Sequence, residues 1–105
     1  MTRRPSVEVL TFAGCPNAGP ALALVERVSA ELGIDADVQR IDVEDSDHAE
    51  ALRFLGSPSI RVDGRDIEPG AEERSDHVFS CRVYPSESGL RGLPDERWLR
   101  DSFRS

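Results

Sequence analysis

An α/β fold with the order β-α-β-α-β-β-α is what this sequence predicts, on three observations. Two strand-like runs bracket an amphipathic helical stretch, an Asp-Gly pair joins two short alternating runs, and a last segment gathers its apolar residues on one helical stripe. At 105 residues the chain is long enough for one domain with a core and too short for two, so residues 1–105 are read as a single domain.

Each element has its own local cause. Val7, Val9 and Phe12 punctuate a run, Val7 to Phe12, whose apolar content suits a central strand buried on both faces. Pro20 to Leu32 places Leu22, Val25, Ser29 and Leu32 on one helical stripe, and Gly33 is a natural stop. Ala36 to Val43 alternates, with Val38 and Ile41 as anchors, and makes a second strand expected to run parallel to the first. Asp47 followed by Glu50 offers a capping box for a short helix through Leu55, with Ala51, Leu52 and Leu55 facing the sheet. Ser59 to Val62, the turn Asp63-Gly64 and Arg65 to Glu68 form a hairpin. Leu93 to Phe103 closes the chain as a helix presenting Trp98, Leu99 and Phe103. Residues 69–92 are too many for a simple connection, so an elaborated segment is expected there.

Composition narrows the function. The chain is 38% hydrophobic and 31% charged, with a formal charge of -7, which describes an ordinary folded protein and disfavours nucleic acid or an anionic membrane as partner. Arg3 and Arg4 are followed by no apolar run of signal-peptide length, and no stretch approaches a membrane span, so a cytoplasmic location is expected. The two cysteines are then expected to be reactive, metal-binding or buried rather than joined in a structural disulfide.

Cys15 lies where the first strand hands over to the first helix, in Ala13-Gly14-Cys15-Pro16-Asn17. Backbone N–H groups and the positive end of the helix dipole favour a thiolate at such a turn. This turn, together with Gly56-Ser57-Pro58 at the start of a later strand, resembles the thioredoxin-like superfamily. The resemblance implies a three-layer sandwich around a central mixed sheet of about four strands. It makes Cys15 the catalytic nucleophile and Ser57-Pro58 the cis-proline step, where the residue before the proline leaves its backbone free to pair with an extended substrate. Pro16, Asn17, Ser57 and Pro58 are accordingly the candidate substrate-binding residues, with Asn17 equally readable as a solvated polar residue of the first turn. The second cysteine of the family's C-x-x-C would fall at position 18, which is Ala18, so no dithiol cycle can run within that motif.

Cys81 has two readings. In an extended run it shares a face with Phe79 and Val83, as a buried thiol would. Alternatively the elaborated segment folds back over the helix start and Cys81 replaces the missing resolving thiol, as a second catalytic cysteine. Ser80-Cys81-Arg82-Val83-Tyr84, after the Gly-Ser-Pro strand and hairpin, is also similar to small thioredoxin-like proteins labelled alkylmercury lyases or related. That likeness implies two cysteines and an acid acting on mercury; Cys15 and Cys81 match, and no particular aspartate matches the acid. Arg82 is read as a surface arginine, with an anion-binding or thiolate-pairing role beside Cys15 as its alternative. His48 and His77 lack metal-ligand spacing and are read as surface or capping residues, and Glu44-Asp45-Ser46-Asp47 as a solvated loop and helix cap.

Three functions are therefore expected to compete. The first is a thiol-disulfide oxidoreductase using Cys15, with Cys81 resolving, glutathione or a protein thiol as partner and no bound organic cofactor. The second is a thiophilic-metal clamp of Cys15 and Cys81, with no metal site otherwise. The third is a non-catalytic interaction module.

Overall fold

The computed structural model describes residues 4–104; Arg3 lies outside the described residues. Its elements are β1 (Ser6–Thr11), α1 (Ala18–Glu31), β2 (Asp37–Asp42), α2 (Ser46–Ala51), β3 (Ser59–Val62), β4 (Arg65–Asp66), a single 3-10 turn (Ala71–Glu73), β5 (Tyr84–Ser86), β6 (Gly89–Arg91) and α3 (Glu96–Arg104). The α/β class and the order of the first six elements follow the sequence reading.

A four-stranded mixed sheet in the order β2-β1-β3-β4 is the centre of the structure. β1 runs parallel to β2, with Val7 opposite Val38 and Leu10 opposite Ile41, and antiparallel to β3, with Val9 opposite Ile60. Val7, Val9, Leu10 and Thr11 are fully buried, as expected of a strand with neighbours on both sides and cover on both faces. Alternation divides the core. Val7 and Val9 pack with Ala21, Val25 and Val28 of α1 and Leu99 of α3, whereas Leu10 packs with Val43, Ala49 of α2 and Phe54. Each such fully buried Val or Leu contributes about 1.5–3 kcal/mol.

Helix α1 ends in a Schellman arrangement in which Gly33 N–H donates to Ala30 O at 3.2 Å and Ile34 N–H to Ser29 O at 2.8 Å. The hairpin turn has Asp63 at φ 51° and Gly64 at φ 85°, the positive pair that matches strand twist. The predicted second strand of this hairpin reached Glu68, but β4 ends at Asp66, with one more cross-strand bond from Ile67 N–H to Ile60 O at 3.1 Å, and the Glu68 side chain meets Arg82.

Helix α2 corrects the capping-box reading. The cap is Asp45, whose carboxylate accepts from His48 N–H at 2.8 Å, and the helix stops at Ala51, with Arg53 at φ 56°. The shift exposes Ala51 and makes Ala49 the buried contact, while Leu55 is buried beyond the helix end. His48 Nδ1 accepts from Glu44 N–H at 3.0 Å, a capping role as read from sequence.

The elaborated segment 69–92 contains the 3-10 turn and a separate hairpin, β5–β6, with Tyr84 opposite Arg91. Sequence reading did not resolve this hairpin. Between turn and hairpin the chain is extended and folds back along the main domain, with Val78 N–H donating to Phe54 O at 2.8 Å.

Candidate functional site

Cys15 sits in the turn joining β1 to α1. Its N–H donates to Phe12 O at 3.2 Å and its carbonyl accepts from Ala18 N–H at 3.3 Å, so the thiol is presented one short turn ahead of the helix. Cys15 is half-buried and Pro16 is exposed. Asn17 is the N-cap residue of α1 but its side chain makes no capping bond. It lies instead against Gly92, where an added Cβ would stand 2.3 Å from Asn17 Nδ2, so the end of the elaborated segment rests on the helix start.

Ser57-Pro58 is a cis peptide, as the resemblance implied, and both residues are almost completely buried. The open backbone expected at Ser57 is absent. Ser57 N–H donates to Ser80 O at 2.8 Å, and Ser57 O accepts from Arg82 N–H at 2.9 Å. Cys81, between those two partners, thus forms a parallel bridge with Ser57. The chain itself occupies the edge where an extended peptide would pair.

Nearby, the Phe12 and Phe79 rings meet edge to face with centroids 5.1 Å apart. Phe12 lies three residues before Cys15 and Phe79 two before Cys81, so this contact joins the two cysteine-bearing segments. Both thiols are free. The alternation around Cys81 is the reverse of the buried-thiol reading: Cys81 and Val83 are exposed, whereas Arg82 and Tyr84 point inward.

Arg82 is therefore no surface residue; it is 3% exposed. Its Nη1 donates to Asp66 Oδ2 at 2.7 Å and to Ser59 Oγ at 2.8 Å, and its Nη2 donates to Glu68 Oε1 at 2.7 Å and Asp66 Oδ1 at 3.2 Å. The guanidinium lies 4.4 Å from the Tyr84 ring centroid, and Tyr84 Oη donates to Pro58 O at 2.5 Å. Ser59 Oγ in turn donates to Gly56 O at 2.7 Å. Through these bonds Arg82 and Tyr84 clamp the whole Gly56–Ser59 loop. Burial works against the Arg82 charge, but the bonds to Asp66, the field of Tyr84 and the bond to Glu68 outweigh it and raise its pKa further. Burial pushes the Tyr84 phenol well above its ordinary range, with the Arg82 charge opposing.

Gly56 makes this approach feasible. Its φ of 118° belongs to glycine, and an added Cβ would stand 2.7 Å from Arg82 Cβ. Thr11 Oγ1, Ser57 Oγ and Arg82 Nε are buried without a partner among the described residues. The Arg82, Asp66, Glu68 and Tyr84 network escaped sequence reading; its one signal was the matching i, i+2 spacing of Asp66 with Glu68 and of Arg82 with Tyr84, which puts each pair on one face of an extended chain.

Among the described residues no helix is long and apolar enough to cross a membrane, and no group of three or more His, Cys, Asp or Glu side chains is placed to hold a metal ion. No protein-family model matches the chain, and no curated protein matches it.

Proposed function

We propose that this protein is a cytoplasmic, thioredoxin-like thiol-disulfide oxidoreductase in which Cys15 is the nucleophile and Cys81 the resolving thiol. The observation that carries the reading is the backbone bridge between Ser57 and Cys81. In the family that the sequence resembles, the residue before the cis-proline pairs with the substrate strand; here that place is filled by the chain's own thiol-bearing residue, held by two hydrogen bonds. The missing cysteine at position 18 is thereby offset by one delivered from another segment.

The cycle balances as follows. Cys15 thiolate attacks a disulfide, forming a mixed disulfide and releasing one thiolate. Cys81 thiolate attacks the Cys15 sulfur, releasing the second thiolate and leaving a Cys15–Cys81 disulfide. Two glutathione thiols, or a partner dithiol, reduce that disulfide and are themselves oxidised. Tethering Cys81 makes the second step intramolecular, which raises its effective concentration.

Turnover of a small disulfide with glutathione tests the assignment. Cys15→Ser is expected to abolish turnover with the fold intact, and Cys81→Ser to accumulate a mixed disulfide on Cys15, seen as added mass. Full activity in Cys15→Ser contradicts the assignment. Stoichiometric binding of mercuric ion by both thiols, without disulfide turnover, would instead make the pair a metal clamp.

A further inference from the structure

A cavity of about 240 Å³ opens between the end of α2 and the β3–β4 hairpin, and Arg53, Arg61, Arg65, Arg74 and His77 line it. We propose that this cavity binds a phosphate dianion, free or esterified. The inference is independent of the cysteine chemistry.

Two guanidinium groups with free donors point to an oxyanion. Two carboxylates also line the cavity, and each is already engaged: Asp66 by Arg82 through both oxygens, and Glu72 by Arg65 at 3.1 Å. Arg74 is held by Asp76 at 2.5 Å, with Glu68 at 3.7 Å. Arg53 and Arg61 remain, and among the described residues neither has a carboxylate within ion-pair distance, although Glu8 and Asp66 stand opposite Arg61 in the strand register. Arg61 Nη2 donates to Leu52 O at 2.7 Å and Arg53 O at 3.1 Å, closing the end of α2, while its Nε and Nη1 make no hydrogen bond among those residues. Two guanidinium groups free of ion pairs offer the fork geometry that binds a phosphate dianion.

His77 forms part of the wall, its ring held by Glu50. Its side chain is only 9% exposed, its Nδ1 lies 3.3 Å from Glu50 Oε1, and its Nε2 makes no hydrogen bond among the described residues. Leu52, Leu55 and Ala71 supply an apolar wall against which the organic part of an ester would rest.

Calorimetric titration of the full chain with inorganic phosphate and with phenyl phosphate, at fixed ionic strength, tests this. One-site saturable binding is expected, weakened roughly tenfold or more in Arg53→Asn and in Arg61→Gln, because each removes a charge-assisted bond. Asn tolerates the left-handed backbone at position 53, so that variant keeps the test valid if Arg61→Gln fails to fold. Arg4→Gln, remote from the cavity lining, is expected to bind as the parent does. Tighter binding of phenyl phosphate assigns the site to an ester, and equal binding assigns it to the free oxyanion. Absence of saturable binding by either probe, or binding unchanged in Arg53→Asn, overturns the proposal.

Discussion

Arg82 and Tyr84 show how much one pair of side chains can decide. A buried guanidinium is tolerable only with its carboxylates in place, and removing it strands Asp66 and Glu68, whose side chains are 9% and 15% exposed. Arg82→Ala is expected to cost about 3–5 kcal/mol, a large part of the roughly 5–15 kcal/mol that a domain of this size has. Urea unfolding measures it, and a loss under about 1 kcal/mol would show that the network is not the clamp described. Tyr84 gives a pH test, because it is the chain's single tyrosine and its absorbance reports one site. Its folded-state pKa is raised by burial, so its contribution is complete below the unfolded value of about 10 and is lost as pH rises above it. Tyrosinate absorbance should appear above the ordinary range in the native protein and near pH 10 in denaturant, and Tyr84→Phe should remove this alkaline loss. Native titration near pH 10 would contradict the buried phenol.

At the scale of elements, α1 and α3 are joined by an exposed ionic cluster beside their apolar contact. Glu96 accepts from Arg27 at 2.8 Å and from Arg100 at 2.6 Å, and Arg100 also reaches Glu31. The Arg27 bond first, and the Arg100 bond second, hold the Glu96 carboxyl at a pKa of about 2. Because that value is depressed, the contribution is present above about 4.5 and is lost as pH falls toward 2. Glu96→Gln should flatten thermal stability over that window, and added salt should shrink the difference, since the cluster is exposed. An unchanged acid limb would show that the cluster adds nothing. The elements most legible in sequence were those with local causes: β1 from its Val, Leu and Phe content, α1 from its stripe and Gly33, and β3–β4 from Asp63-Gly64. α2 was misplaced by two residues because Asp45 and Asp47 both satisfy cap chemistry, and only the fold selects between them. The β5–β6 hairpin lacks the Asn-Gly or Asp-Gly signal; its turn is Glu87-Ser88.

Across the whole molecule, the mixed sheet brings the β1–α1 turn, the cis-proline loop and the elaborated segment to one place. Cys15, Ser57 and Pro58 could be named from sequence because their chemistry is tied to a local turn and an X-Pro step. The pairing of Cys81 with Ser57 could not, because a bridge between residues 24 positions apart depends on what else the segment buries. Hydrophobicity alone favours Phe79, Cys81 and Val83 inward, and Phe79 does pack against the core; the carboxylates of Asp66 and Glu68 hold Arg82 inward, and Cys81 and Val83 face out. That reversal converts a core thiol into an accessible one, as the proposed resolving role requires. The direct measurement is peptide mapping of dilute protein after mild oxidation and rapid alkylation of the remaining thiols. An intramolecular Cys15–Cys81 disulfide is predicted. Cys15 and Cys81 each alkylated or singly oxidised, with no link between them, would contradict the paired-thiol mechanism.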